Sequence, residues 1–214
     1  MSDLSVDFLV DNFYDKKINF FNIGCSDLYD TIDFKNHLPN AEFYAFECNK
    51  KFKESNTITA IDHGINYFHY ALSDIEGEII FYPSDTFNGQ KDWNISSSTL
   101  KPIPTKYFDL TYGEPYLVKS IILDKFCNEN NITPNFIHID AEGAEYKILS
   151  KLGTYRPYCI WSEICAFDVF YESGTSYEDF DNLLYGYGYT KLYSSNNDAL
   201  YIHNSFQVKG NKYI

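Results

Sequence analysis

Short apolar runs, each followed by a polar stretch of helical length, restrict this chain more than any other feature. Residues 18–23 (INFFNI), 42–47 (EFYAFE), 67–72 (YFHYAL), 136–140 (FIHID) and 158–164 (YCIWSEI) are apolar nearly throughout. A strand wetted on one side alternates apolar with polar residues. A run that does not alternate belongs to a strand covered on both sides, as in a parallel sheet between two helix layers. The segments 27–38, 49–60, 123–130, 143–152 and 177–187 read as helices, and residues 1–17 as a short amphipathic lead-in. Residues 189–193 and 199–203 flank a polar turn and read as a hairpin. The alternation predicts an α/β domain with a mostly parallel sheet, the hairpin giving it an antiparallel C-terminal edge.

The rhythm breaks once. Residues 78–82 (EIIFY) and 118–123 read as strands, but 83–116 is long, polar and punctuated by Pro83, Gly89, Pro102, Pro104, Gly113 and Pro115. A loop of that length inside a compact domain usually carries function. The segment is expected to be a lid, with Trp93, Ser98 and Tyr112 touching substrate. No repeat, linker or shift in composition divides the 214 residues, which suit a single domain.

The formal net charge of -13 argues against nucleic acid and anionic membranes as partners, since Lys16-Lys17 and Lys50-Lys51 are pairs and not basic runs. No stretch approaches the roughly 18 apolar residues of a membrane span. The N-terminal segment carries acids where a signal peptide has a basic start. Cys25, Cys48, Cys127, Cys159 and Cys165 form no CxxC pair. A reduced, cytoplasmic setting is the expectation. Twenty Tyr and eighteen Phe fill a core, and Tyr also suits a pocket for a polar ring.

Three constellations carry chemistry. The first is FFNIGCSD, where a strand ends at Gly24 and Asn22, Ser26 and Asp27 flank a helix start. A glycine there admits unusual φ values and close approach of a ligand to the backbone. The second is Glu47, 23 positions after Gly24 and followed by Cys48. An acid at the end of the second strand accepts hydrogen bonds from ribose hydroxyls. Together they mark a nucleoside without saying which one. The third is IHIDAEGAE, with Asp140, Glu142 and Glu145 at the carboxyl end of a strand. Carboxylates there can take a proton, orient a substrate or hold a divalent cation. Glu145 is expected to favour its helix N-terminus instead. His138 falls on the same strand face as Asp140 and reads either as a base or as a hydrogen-bonded core histidine. Glu163 shares that rim if its strand neighbours the one before Asp140. His37, His63, His69 and His203 show no metal spacing.

The order FNIGCSD, AEFYAFECN, YALSDIEGEIIFY, SSSTL, VKSIILDKFC, FIHIDAEGAEYKIL, IWSEI and GYGYTKLY resembles the FkbM-like methyltransferases from about residue 18 to 204. IDAEGAEYKIL is similar to that family's hydrophobic-D-x-E-G-x-E signature, and YAFECN to its Y-A-F-E-P-N, with Cys48 in place of Pro. The family's usual D-x-G-A-x-x-G is altered: Asn22 replaces the acid, Cys25 the Ala, and Tyr29 or a neighbour the second Gly. The resemblance implies a Rossmann-like class I methyltransferase with a seven-stranded sheet. It implies S-adenosylmethionine as donor and a hydroxyl of a sugar, glycan or related small molecule as acceptor. It runs the cofactor along Gly24, Glu47 and the Ser73-Asp74 turn, and puts Asp140 and Glu142 at the reacting end. The acceptor proton then goes to Asp140, Glu142 or His138, or a metal held by Asp140 and Glu163 acidifies the hydroxyl. A nicotinamide-dependent oxidoreductase and a nucleoside-binding domain without catalysis are the competing readings.

Overall fold

The computed structural model describes residues 3–92, 96–103, 109–164, 171–195 and 197–209. Helix α1 (Asp3–Phe13) leads into β1 (Asn19–Ile23), α2 (Tyr29–His37), β2 (Glu42–Phe46), α3 (Lys53–His63) and β3 (Asn66–Phe68). Four short strands follow, β4 (Ala71–Ser73), β5 (Gly77–Phe81), β6 (Ser84–Phe87) and β7 (Gln90–Lys91), then β8 (Leu110–Tyr112) and β9 (Tyr116–Ile122). The alternation resumes with α4 (Leu123–Asn130), β10 (Phe136–Ile139), α5 (Glu145–Leu149), β11 (Cys159–Glu163) and α6 (Tyr177–Gly186), and closes with β12 (Tyr189–Ser194) and β13 (Asp198–His203).

The main sheet has seven strands in the order β12-β13-β11-β10-β1-β2-β3. β3, β2, β1, β10 and β11 pair in parallel, while β13 is antiparallel to both β11 and β12. The predicted hairpin therefore lies at the edge, but its second strand inserts inward. The apolar runs become strands because both of their faces are covered. Phe20, Phe43 and Phe136 pack under α1 and α2 with Phe8, Phe13 and Phe34. Phe21, Phe46 and Ile137 pack under α4, α5 and α6 with Phe126, Ile148 and Leu184. Phe20 stacks on Phe136 and Phe43 at 4.7 and 4.9 Å between centroids. Truncating such a ring to Ala costs about 3–5 kcal/mol. Strand order reverses between β1 and β10, and open α/β sheets bind ligands in the crevice beyond that point.

Two expectations need correction. Residues 67–72 are not one strand. The chain turns at Tyr70, whose N–H donates to Phe68 O (3.1 Å), so β3 stays with β2 while β4 joins β9 and β5 in a second sheet. Phe68 and Tyr70 both pack on Phe126, at 4.9 and 6.4 Å, so the corner stays apolar and the sequence hides it. The segment 83–116 is not a plain loop either, since β6, β7 and β8 form a third, antiparallel sheet within it. Asn88 and Gly89 have φ of 48° and 81°, the two left-handed residues that close a tight hairpin between β6 and β7. Among the described residues no helix is long and apolar enough to cross a membrane.

Candidate active site

The loops after β1, β2 and β10 converge at the switch point. Gly24 has a φ of +78°, and a Cβ there would lie 1.7 Å from the Asp140 carbonyl oxygen. The glycine thus lets two loop backbones touch. Gly24 and Cys25 N–H both donate to Phe46 O, at 2.9 and 3.1 Å. Leu28 occupies the place of the second glycine and takes its left-handed conformation, φ 68°. A bulky residue held there costs on the order of 1–3 kcal/mol.

Glu47 leaves the end of β2. Its Oε2 accepts from Ser26 N–H (3.0 Å) and its Oε1 from Asn49 N–H (2.6 Å), tying two loops. Desolvation pushes its pKa up to about 7 against these donors, which lower it. The carboxylate faces a cleft also lined by Gly24, Ser26, Cys48, Asn49, Leu72 and Asp140. Burial pushes the Cys48 thiol up. Asn49 was not foreseen. Its Oδ1 accepts from Lys51 N–H and Tyr116 Oη–H, while its buried Nδ2 has no partner among the described residues. The Asn of YAFECN was the available signal. Ser73 and Asp74 lie beyond the cleft, Ser73 Oγ donating to Asp74 Oδ1 (3.2 Å), and Tyr70, Ala71 and Leu72 form the wall instead. Asp27 Oδ1 accepts from Tyr29 N–H (3.1 Å) and shapes the turn into α2. The cleft holds about 90 Å³ and is narrowed by Ser97 and Thr99. Pockets for small ligands are typically about 300–1,000 Å³, so a cofactor needs that wall to open.

At the other end Asp140, Glu142 and Glu163 each bring an oxygen within 4.8 Å of the others. β10 and β11 are parallel neighbours, which meets the condition set for Glu163. Solvent reaches Asp140, so its environment is a crevice and not the core. Desolvation first, and Glu163 second, raise the carboxyls of Asp140 and Glu142 well above the usual range. Such a cluster shares protons or is neutralised by a cation.

Glu142 has a φ of 53° and is braced from the 83–116 segment. Ser98 Oγ donates to Glu142 O (2.8 Å) and accepts from Leu100 N–H (2.9 Å). The hydroxyl of Tyr171 lies 3.0 Å from Glu142 Oε2 and 2.8 Å from Ser96 O. Ser98 is thus buried against the backbone, and Tyr112 is half-buried with its phenol pushed up to about 12 by burial. Trp93 lies outside the described residues. Tyr171 sits in no motif, and only the fold reveals it. Glu145 is separate from the cluster: its buried Oε1 accepts from Ala141 and Gly143 N–H, at 2.7 and 3.3 Å. Burial raises its pKa to about 8.

His138 points to the α2 side, as does Asp140. Its Nδ1 is 2.9 Å from Asn22 Oδ1, and Asn22 Nδ2 donates to Thr31 Oγ1 (2.7 Å). The Asn22 amide therefore serves α2 and His138, away from Glu47. Burial lowers the His138 pKa to about 4, leaving the ring neutral.

A family model described as the methyltransferase FkbM domain matches residues 16–191. The chain is 28% identical over 134 residues to the 2-O-methyltransferase NoeI of Sinorhizobium fredii (strain NBRC 101917 / NGR234). That alignment covers 60% of this chain and 55% of the relative, so the chain spans about half the relative's length. The backbone matches the crystal structure of methyltransferase FkbM from Methylobacillus flagellatus KT with a TM-score of 0.53 at 10% identity, over 87% of this chain and 44% of that one. This likeness is one of fold.

Proposed function

The chain belongs to the FkbM methyltransferase domain family, and from that premise we propose that it is an S-adenosylmethionine-dependent O-methyltransferase acting on a hydroxyl of a sugar or glycan. The observation that carries this reading is one cleft with Glu47 and Asn49 Nδ2, which has no partner among the described residues, at one end and Asp140 at the other. An acceptor beside a donor is what a ribose or an adenine edge requires, so the residues fit the cofactor. When bound, the cofactor supplies a methyl whose bond to sulfur breaks as an acceptor oxygen bonds to it, the electron pair returning to sulfur as a thioether.

The residues have two tasks. Glu47, Asn49 and the Gly24 turn bind and align, and alignment supplies much of the acceleration in a displacement of this kind. Asp140 takes the proton of the acceptor hydroxyl, its burial raising its proton affinity above that of an ordinary carboxylate. Burial first, and Glu163 second, raise that basicity. His138 is the weaker candidate because burial depresses its proton affinity. A second reading rests on the clustering itself: three carboxylate oxygens within 4.8 Å also suit a divalent cation, which would acidify the hydroxyl. The name of the Sinorhizobium relative supports oxygen as the methylated atom.

Titration calorimetry with S-adenosylmethionine, its demethylated product S-adenosylhomocysteine, and NAD tests the cofactor assignment. Binding of the first two and not of NAD is expected. Binding of NAD alone overturns the reading in favour of an oxidoreductase. Binding without turnover on any hydroxyl acceptor favours a domain that only binds nucleoside.

A further inference from the structure

A second cavity, of about 420 Å³, opens on the α2 side of the sheet. It meets the Glu47 cleft at Gly24, Ser26, Phe52 and Asp140, which line both. His138 forms part of its floor, Tyr29 and Asp30 one wall at the start of α2, and Lys51 and Asp92 the opposite wall.

The geometry points to this cavity as the seat of the methyl acceptor, and to an uncharged sugar ring as the acceptor's chemistry. The inference rests on the cofactor reading of the Glu47 cleft and adds where, and in what charge state, the acceptor binds. Four observations carry it. Asp140 stands where the two compartments join, so a hydroxyl entering from the α2 side meets its carboxylate where the cofactor cleft ends. The volume falls within the usual span for small-ligand sites, unlike that of the narrow cleft. Tyr29 is 74% exposed at the mouth and offers a flat, amphipathic face for a sugar ring to lie on. The polar lining suits hydroxyls and repels anions: among the described residues Asp27, Asp30, Asp92 and Asp140 line it with one cation, Lys51, whose ammonium donates to Asp92 O (3.1 Å). His138 Nδ1 is turned to Asn22 Oδ1, so the ring nitrogen left to face the cavity is one that can bond a hydroxyl. A sugar bearing a nucleoside diphosphate, a phosphate or a uronate is disfavoured. The methylation thus acts on a sugar from which any activating phosphate has already departed.

The test uses the full chain loaded with S-adenosylhomocysteine, on an array of neutral, uronate-bearing, sialylated and phosphorylated glycans. Calorimetry with S-adenosylhomocysteine runs in parallel for the wild type, Tyr29→Ala and Asp30→Lys. The expected result is retention of neutral glycans only, weakened about tenfold or more in Tyr29→Ala. Asp30→Lys should admit acidic glycans, with S-adenosylhomocysteine affinity unchanged in both variants. Retention of acidic glycans alone by the wild type, retention of none, or full retention by Tyr29→Ala overturns the inference. Failure of the wild type to bind S-adenosylhomocysteine overturns the cofactor reading beneath it.

Discussion

Glu47 ties Ser26 to Asn49 through its own two oxygens, and the same oxygens face the cleft. Glu47→Ala should weaken S-adenosylhomocysteine binding by on the order of 2–4 kcal/mol, the loss of two charge-assisted hydrogen bonds. Because the carboxyl titrates near 7, wild-type affinity should fall as pH drops through that value and level off above about pH 8. Calorimetry across that range checks both, and unchanged affinity in the variant removes Glu47 from the cofactor site. Asp140→Asn separates the two roles of the reacting end. Turnover should fall at least about a hundredfold, the low end for loss of a general base, while cofactor affinity holds. EDTA then tells a bare carboxylate, which is indifferent, from a metal site, which loses activity and regains it on adding cation. Glu47, Asp140, Glu142 and Glu163 were legible in the sequence because each ends or follows an apolar strand run, where the sheet must present it to the crevice. Tyr171 and the true work of Ser98 were not. Both act on Glu142 across 29 and 44 positions of chain, and no local pattern encodes such a contact.

At the scale of elements, Ser97 and Thr99 wall the cleft, Ser98 braces Glu142, and Ser84 N–H at the start of β6 donates to Ser97 Oγ, so the β6-β7-β8 sheet is tied to that wall. Opening this wall for a cofactor therefore also frees the acid loop. Hydrogen exchange should find β6 and β8 less protected than β10 in the free protein and better protected with S-adenosylhomocysteine bound. Protection equal to that of β10 in both states would refute the lid. The helices and the strands of the main sheet were readable, since continuous apolar runs leave few other folds open to them. The strands within residues 83–116 were overlooked: they run two to four residues each, and Pro102 and Pro104 stand between β7 and β8. Asn88-Gly89 was the one local signal that a hairpin, and not a loop, stood there. The corner at Tyr70 was invisible for the opposite reason, because aromatic residues on both sides of it hide the turn.

For the whole molecule, several acids keep their protons when folded over a range in which the unfolded chain, with pKa values near 4, has released them. Glu145, with a folded pKa of about 8, is the most enclosed. The folded state then binds more protons, so stability falls as pH rises from about 4.5 toward 8. Melting of the free protein should show this decline. Glu145→Gln keeps an acceptor for Ala141 and Gly143 N–H but has nothing to titrate, and should exceed the wild type at pH 8 by about 2–5 kcal/mol. An equal or lower melting point there contradicts the assignment. The placement of β13 between β11 and β12 has a consequence of another kind. During synthesis β11 leaves the ribosome well before its partner, so a parallel sheet stands with one side open until Asp198–His203 arrive. An unpaired strand edge is a template for any neighbouring chain. Chains shortened before Asp198 should therefore collect in the pellet, not persist as a smaller folded protein, and messages that stall late in translation should yield aggregates that earlier stalls do not.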